Sequence, residues 1–216
     1  MTIINMNILA IDTSSDYLSI AILKEGKILA KYHRKSAMRH SIKLIPTIDK
    51  LLKKVRMKLK DIDCFAVSIG PGSFTGLRIG VTAVKGLAHS LKKPVVAVPT
   101  LDVIAWNSKG FKGIICPVLD ARKNKVYACL YRSEGKALKR ISKYLLLPME
   151  ELMKKINKFD KILFLGDIIG KMKNWHPRAE VLARLGAENF RKKQFVSPEK
   201  LEPLYLYSKE CDVTGR

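Results

Sequence analysis

The sequence predicts a duplicated α/β fold, in which each of two lobes has a mixed β-sheet flanked by helices. Three observations lead to this prediction. Strand-like and helix-like segments alternate along the chain, which is typical of α/β proteins. The 216 residues, 47% of them hydrophobic, suffice for one large domain or two small ones with a buried core. A pattern of hairpins near the N-terminus also recurs half a chain length later.

The hairpin pattern occurs in residues 8–30 and again in residues 114–139. In each copy an apolar strand ends at an aspartate, Asp12 or Asp120, and an alternating strand then leads through a Glu-Gly turn to a third strand. The two aspartates are 108 positions apart, half of the 216-residue length. This spacing indicates duplication of a β-β-β-α unit, and chance similarity between hairpins is the alternative.

Each hairpin pattern is followed by helical segments. Apolar residues at three- and four-residue steps predict a helix over 38–56, which Pro46 either opens or kinks. The other predicted elements, in chain order, are a strand over 63–69, a glycine loop, a helix over 73–91, the strand PVVAV, a helix at 148–158, a strand at 161–165, a helix at 177–190 and an irregular tail at 196–216. We place the lobes at 1–104 and 105–216.

The composition argues against several classes of protein. The first apolar run is short, has no basic region before it and ends at Asp12, so we expect a cytoplasmic protein without a signal peptide or membrane span. The cysteines, Cys64, Cys116, Cys129 and Cys211, lack CxxC spacing, so buried reduced thiols are expected. The four histidines lack the spacing of a metal site, so no metal is predicted.

The chain is strongly basic, with 41 Lys and Arg against 19 Asp and Glu and a net charge of +22. Such an excess raises the affinity for polyanions such as RNA whatever the fold. The basic residues are scattered and no basic motif interleaved with aromatic residues occurs, so solvated lysine-rich faces are the simpler interpretation. An RNA-binding module is the alternative.

A glycine loop, GPG at 70–72, connects a strand to a helix that begins at Ser73. Gly70, Gly72 and Gly76 have the spacing G-x-G-x-x-x-G, which differs from the dinucleotide fingerprint by one residue, and the chain has no P-loop motif. The loop and helix would direct free amide groups toward an anion such as phosphate. A tight turn with Ser73 as the N-cap explains the same residues.

Two glycines lie one turn apart inside the second predicted helix. Gly76 and Gly80 each cost about 1 kcal/mol relative to alanine at such positions. With Ala83 and Leu87 they form a stripe that lets another backbone approach closely. The approaching element is expected to be either helix 38–56 of the same chain or a helix pair of a partner subunit.

Five segments in order resemble the TsaB family, also called YeaZ, over about residues 7–207: ILAIDTSS, SIGPGSFTGLRIGVTAVKGLA, AVPTLDVIA, PVLDARKNKVYACLY and EPLYLY. The resemblance implies the fold of actin, sugar kinases and heat-shock ATPases, in agreement with the repeat. It also implies a non-catalytic subunit of the bacterial system that attaches threonylcarbamoyl to the adenosine beside the anticodon of tRNA. The implied partners are the catalytic paralogue TsaD, the small ATPase TsaE, a second copy when the chain is alone and, indirectly, tRNA.

In that superfamily the hairpin turns contact the phosphates of ATP, usually through an acid with Gly and Thr. The resemblance therefore implies a degenerate phosphate loop made of Asp12, Thr13, Ser14, Gly70 and Gly72. The first turn lacks the glycine, and the second, at 120–123, has neither Gly nor Thr. We expect no strong nucleotide binding by this chain alone. Binding of ATP or ADP at the boundary between subunits of a complex is left open. A stand-alone ATPase or kinase that uses Asp12, Thr13 and the glycine loop is the rival interpretation.

Catalytic residues are not predicted. TsaD has an Asn-His-x-x-x-His stretch that binds a metal after the matching strand, whereas this chain has Thr100 and Ile104 at the positions of the two histidines. The resemblance thus implies that the metal site is missing. No motif arranges a Ser/His/Asp or Cys/His set for nucleophilic catalysis.

The family resemblance also implies an interface. In that family two N-terminal helices pack against the equivalent helices of TsaD. Carried over by position, the predicted partner contacts are His40, Leu44, Ile48, Leu51, Phe74, Leu77, Arg78, Gly80, Val81 and Lys85. The pattern does not separate those that face a partner from those that pack inward.

Overall fold

The structure, a computed structural model, describes residues 6–36, 39–108, 110–135, 137–166 and 175–206. Within these ranges Cys64, Cys116 and Cys129 are buried free thiols, as predicted, whereas Cys211 lies outside them. None of the helices in the described part combines the length and the apolar composition that crossing a membrane requires.

The first sheet has five strands in the order β3-β2-β1-β4-β5. Its strands are β1 Asn7–Asp12, β2 Tyr17–Lys24, β3 Lys27–Lys35, β4 Cys64–Ser68 and β5 Val95–Val98. β1, β4 and β5 are parallel, and β2 is antiparallel to both β1 and β3. The central strands NILAID and CFAVS are almost continuously apolar because helices cover both faces of the sheet.

Two helices cover one face of this sheet. α1 spans His40–Lys54 and α2 spans Phe74–Leu91. Leu44, Ile48 and Val81 of these helices pack with Leu9 and Phe65 of the sheet. Pro46 lies inside α1, so the alternative in which it opens the helix is wrong: the helix begins at His40.

The opposite face of the first sheet is covered from the far end of the chain. α5, at Ala179–Arg191, places Leu182 and Leu185 against Ile8, Ala10 and Val96. Residues 195–206 then return along α2, where Leu201 enters the core of the first lobe. The predicted second lobe, 105–216, therefore needs correction at its C-terminal end, because 179–206 pack with the first lobe.

The second sheet has six strands and repeats the antiparallel hairpin strands and the parallel inner strand of the first. Its elements are β6 Lys112–Asp120, β7 Lys125–Ala128, β8 Tyr131–Glu134, β9 Leu138–Arg140, β10 Leu145–Pro148, α4 Met149–Ile156 and β11 Ile162–Gly166. β7 and β8 pair with β6 in one register, and the gap between them lies opposite Pro117, which has no amide hydrogen to donate. The parallel strand β11 flanks β6 as β4 flanks β1.

The predicted duplication is confirmed for the hairpins and for the helix and parallel strand that follow them. Asp12 and Asp120 end the first strand of each hairpin, and the Glu-Gly turns with Gly26 and Gly135 lead to the third strand of each copy. α1 connects β3 to the parallel strand β4, and α4 connects β10 to the parallel strand β11. Both glycines have positive φ, 78° and 79°, which favours glycine in these turns.

A helix that the sequence analysis missed joins the two lobes. α3, at Thr100–Trp106, follows β5 of the first sheet and buries Leu101 and Ile104 in the core of the second lobe. Its Asp102 Oδ1 accepts hydrogen bonds from the hydroxyls of Tyr131 at 2.5 Å and Tyr144 at 2.9 Å, both from the second lobe. The helix thus holds the lobes together through apolar packing and a partly buried polar cluster.

Candidate functional site

The candidate site lies at the edge of the first sheet where the parallel strands end. Asp12 ends β1, Ser68 ends β4 and Thr100 follows β5. Because the carboxyl ends of parallel strands meet at one edge, the topology brings these three polar residues together. All three are buried. Ligands of α/β proteins commonly bind at such an edge.

Asp12 is fully buried, and its two carboxylate oxygens have different environments. The Ser14 amide and hydroxyl donate to Oδ1 at 3.1 and 3.0 Å. Oδ2 and the Ser68 hydroxyl are buried without a partner in hydrogen-bond geometry. Burial raises the pKa of Asp12 to about 6, and Ser68 and Ser14 offset only part of this rise. The site therefore holds a carboxyl group that takes up a proton in mildly acidic solution.

Replacing Asp12 with asparagine is expected to flatten the dependence of stability on pH. A folded-state pKa of about 6, above the ordinary 3.8, means that the folded state binds the proton more tightly than the unfolded state. Asp12 therefore makes its full contribution to stability below pH 4 and loses it as the pH rises through about 6. Asparagine retains an acceptor for Ser14 and does not ionise. At neutral pH the free energy of unfolding of Asp12→Asn is therefore expected to exceed that of the wild type by up to about 3 kcal/mol.

Urea denaturation at several pH values between 4 and 7 measures this effect. Asp120→Asn is the matched control, because Asp120 ends the equivalent strand of the second lobe but is exposed. Identical pH profiles for the Asp12→Asn and Asp120→Asn variants would contradict the assignment.

The glycine loop is hydrogen-bonded to the first hairpin turn. The Ser73 amide donates to the Ser14 carbonyl at 2.8 Å, and the Thr13 hydroxyl donates to the Gly76 carbonyl at 2.7 Å. Ser73 is the N-cap of α2, because its hydroxyl accepts from the Gly76 amide at 3.2 Å. The amides of Ser73 and Gly76 are thus used within the chain, which favours the N-cap interpretation over the anion cradle.

The two helix glycines face this same turn and not another helix. A Cβ at Gly76 would come within 3.0 Å of the Thr13 carbonyl oxygen, and one at Gly80 equally close to the Thr13 hydroxyl. Both alternatives predicted for the stripe, a helix of the chain or of a partner, are therefore wrong at these positions. Gly72 likewise lies against the Ser14 carbonyl. Glycine spacing reveals that a backbone comes close, but it does not identify the segment that approaches.

The second hairpin turn differs from the first. Arg122, Lys123 and Asn124 have φ of 64°, 51° and 58°, so three consecutive residues with side chains adopt the left-handed conformation. The Asp120 carboxylate accepts from the Arg122 amide at 2.7 Å and supports this turn. These three side chains are exposed, unlike the buried Thr13 and Ser14 of the first turn.

The positions that match the metal ligands of TsaD are buried. Ile104 lies in an apolar core with Leu101 and Ile115, and the Thr100 hydroxyl is buried without a hydrogen-bond partner. An apolar side chain cannot coordinate a cation, so this pair does not fit a metal. In the described ranges, no three His, Cys, Asp or Glu residues form a group that could hold one.

Most of the predicted interface residues lie in the core of the chain itself. Seven of the ten are buried: His40, Leu44, Ile48, Leu51, Leu77, Gly80 and Val81. These seven leave no surface for a partner in this conformation, and the prediction is corrected for them. The prediction placed these residues in the correct helices, but the selected side chains lie on the faces of α1 and α2 that the sheet covers.

The other three predicted interface residues contact the returning C-terminal segment. The Arg78 guanidinium lies 3.9 Å from the centre of the Phe74 ring and donates to the Tyr205 hydroxyl at 3.4 Å. Lys85 Nζ donates to the Glu199 carbonyl at 3.0 Å. All three keep some exposed surface, and contact with a partner stays a prediction for them.

The exposed face of the same two helices carries residues that the sequence analysis did not select. Ile42 and Ile45 of α1 are 73% and 50% exposed, although both are large and apolar. Thr82 and Gly86 are exposed on α2. A signal for the first two was present, since both lie outside the stripe of Leu44, Ile48 and Leu51 that the sheet covers.

A mixed sheet that recurs in the same chain, with an acid-led hairpin turn at its carboxyl edge, defines the actin-like class of α/β folds. Here the turn is bonded to the chain's own helix, as described above. The comparisons with known proteins agree with this class and narrow it to one family.

A family model described as TsaD, tRNA N6-adenosine threonylcarbamoyltransferase, matches residues 28–193. The tRNA threonylcarbamoyladenosine biosynthesis protein TsaB of Bacillus subtilis is 34% identical and is matched over 96% of each chain. A protein of the same name from Buchnera aphidicola is 35% identical over 77% of this chain and 80% of its own. The solved structure of YeaZ from Pseudomonas aeruginosa superposes with a TM-score of 0.79 and 27% identity, covering 93% and 100% of the two chains. The chain belongs to the TsaB (YeaZ) family.

Proposed function

We propose that this chain is a subunit of an assembly that forms threonylcarbamoyladenosine in tRNA, and that it supplies a docking surface and not a reacting group. The matched relatives are named for the biosynthesis of this nucleoside, and the matched family model is described as the transferase. The catalytic partner would be the paralogue TsaD, with TsaE joining the assembly and tRNA held mainly through TsaD. The assembly would work in the cytoplasm.

The observation that carries the docking proposal is the exposed face of α1 and α2. We define the docking face by Ile42, Ile45, Thr82 and Gly86. Two large aliphatic side chains at 73% and 50% exposure have no role in the chain's own core. Buried against a partner, each would contribute about 1 to 2 kcal/mol. A second copy of the chain would occupy the same face when TsaD is absent.

The glycine at position 86 is a second observation in favour of the docking face. Within the described residues, no atom beyond the backbone of its own helix lies within 4 Å of a Cβ placed at Gly86, unlike at Gly76 and Gly80. A glycine in the middle of a helix costs about 1 kcal/mol relative to alanine, and no contact in the described part of the chain explains this one. The close approach of a helix from a partner would require it.

The proposed role is conformational. Asp12 and Thr13 are hydrogen-bonded to their own turn and to α2, and Thr100 and Ile104 occupy the positions of the metal ligands. The subunit would instead bind the active conformation of TsaD more tightly than its other conformations, which increases the active population.

The rival function is a stand-alone ATPase or kinase that uses Asp12. The unpartnered Oδ2 of this buried carboxylate is the observation that favours it. This function requires ATP turnover by the isolated chain, and Asp12→Asn would abolish that turnover.

Reconstitution distinguishes the two functions. Transfer of threonylcarbamoyl from threonylcarbamoyl-adenylate to tRNA, with release of AMP, would be measured with TsaD and TsaE of the same organism, with and without this chain. We expect transfer to depend on the chain and the Asp12→Asn variant to support it as well as the wild type. ATP hydrolysis by the isolated wild-type chain, lost in Asp12→Asn, would overturn the docking proposal.

A further inference from the structure

Basic side chains form a strip across the end of the first sheet opposite the candidate site. This basic strip is defined by nine residues: Lys54, Arg56, Lys58, Lys60, Lys92, Lys93, Arg191, Lys192 and Lys193. All are exposed except Lys93, which is half-buried.

Topology brings the three segments of the basic strip to one edge. The parallel strands β1, β4 and β5 all begin there, and only Pro94 separates Lys92 and Lys93 from the start of β5. The Asn7 side chain donates to the Asp61 carbonyl at 2.7 Å, which fixes the segment after α1 beside the start of β1. A two-residue bridge between Val95 and Val196 brings the end of α5 to the same edge. The strip therefore continues from the α1 layer, across the sheet, to the α5 layer.

Acidic side chains neutralise little of this charge. Asp63 lies 3.8 Å from Lys93, and Glu188 lies 3.0 Å from Lys192. Within the described ranges, the other seven residues of the strip form no ion pair. Seven unpaired cations at one edge give a positive potential that attracts a polyanion and falls as salt is added.

Packing explains why the segment at 54–60 points its charges outward. In KVRMKLK the basic residues alternate with Val55, Met57 and Leu59, which pack against the core of the first lobe. Cations near the ends of helices also complement the helix dipole, which accounts for Lys54 and Arg191. That effect fades within the last turn, so it does not account for Lys58 or Lys60.

An exposed aromatic ring follows the last residues of the strip. Phe195 is 44% exposed and stacks on Phe190, with ring centres 5.1 Å apart and planes at 26°. The stacking and the neighbouring bridge at Val196 hold the ring in place beside Lys192 and Lys193. Aromatic rings next to cations bind unpaired bases of single-stranded nucleic acids by stacking.

We propose that the basic strip binds the phosphate backbone of RNA directly and that Phe195 stacks on an unpaired base beside it. The identification of this RNA as tRNA rests on the proposed function. The strip then gives the subunit its own contact with tRNA, at the edge of the sheet opposite the candidate site.

The affinity of the full chain for tRNA, measured at several salt concentrations between 50 and 200 mM, tests this inference. The strip variant carries Arg56→Gln, Lys92→Gln and Lys193→Gln, one change in each segment. Its matched control carries Lys123→Gln, Lys139→Gln and Lys154→Gln, three exposed residues of the second lobe that lose the same charge. We expect the strip variant to bind tRNA at least about tenfold more weakly and its salt slope to fall by about 2, whereas the control changes less than about twofold.

The variant Phe195→Ala tests the contribution of ring stacking to tRNA binding without changing the charge of the basic strip. We expect it to weaken tRNA binding several-fold, leave the salt slope unchanged and leave blunt duplex RNA unaffected. Equal losses in the strip variant and its control, or unchanged tRNA affinity in the strip variant, would overturn the proposal. The assay contains no TsaD, so its outcome is independent of the docking proposal. Circular dichroism of each variant checks that the fold is retained.

Discussion

Gly76→Ala is expected to destabilise the fold strongly, whereas Gly86→Ala in the same helix is expected to stabilise it. At Gly76 the new methyl group would come within 3.0 Å of the Thr13 carbonyl oxygen, a backbone atom. The hairpin turn cannot shift easily to make room, because the Thr13 hydroxyl donates to the Gly76 carbonyl and the Ser14 carbonyl accepts from the Ser73 amide. We expect a loss above about 3 kcal/mol, a large part of the 5 to 15 kcal/mol that stabilises a typical domain.

The Gly86 substitution is its matched control. A methyl group at Gly86 meets no neighbouring segment of the described structure within 4 Å, so alanine removes the backbone-entropy cost of glycine and adds about 1 kcal/mol of stability. Urea denaturation followed by circular dichroism measures both changes. Effects of the same sign in the two variants would contradict the assignment of Gly76 to the hairpin turn and Gly86 to an open surface.

Ile45→Asp is expected to abolish binding of TsaD while leaving the fold intact. Ile45 is half exposed on α1 and has little core packing to lose. In the proposed complex the new carboxylate would be buried without a cation, which costs several kcal/mol and weakens binding by more than about a hundredfold. Threonylcarbamoyl transfer should fall in parallel when TsaD is limiting.

Ile141→Asp provides the control for this prediction. Ile141 is a large apolar residue exposed to 37%, but it lies in the second lobe, away from the docking face. Isothermal titration of TsaD into each variant measures the affinities, and thermal unfolding checks the fold. Equal affinities of the Ile45→Asp and Ile141→Asp variants would show that the partner binds elsewhere.

The periodicity of apolar residues predicted most of the fold. Strands and helices with a complete apolar stripe, such as β1, α1 and α2, were located to within a few residues. The duplicated hairpins were recognised because Asp12 and Asp120 mark the same turn in each copy. α3 was missed because its seven residues between Pro99 and Asn107 are too few to show a helical period.

The candidate site was predicted less completely, for physical reasons. The sequence identifies Asp12, but it does not show that Oδ2 lacks a hydrogen-bond partner, because that depends on the geometry of Ser68 on another strand. Glycine spacing in α2 showed that a backbone comes close without naming Thr13. Leu44 and Ile48 were carried over by position from the family, and the apolar pattern of α1 could not correct this choice in favour of Ile42 and Ile45 because it does not reveal which face the sheet covers.

The position of α5 has a consequence for biosynthesis. The strands of the first sheet leave the ribosome before the helix that covers Ile8, Ala10 and Val96, because the whole second sheet is translated between them. Until α5 emerges, the nascent chain presents one uncovered apolar face, and the loop that must close between β1 and α5 contains the second sheet. Such long-range closure slows folding and exposes the intermediate to aggregation. The first lobe is therefore completed only after α5 has left the ribosome, and its nascent strands are candidates for chaperone binding.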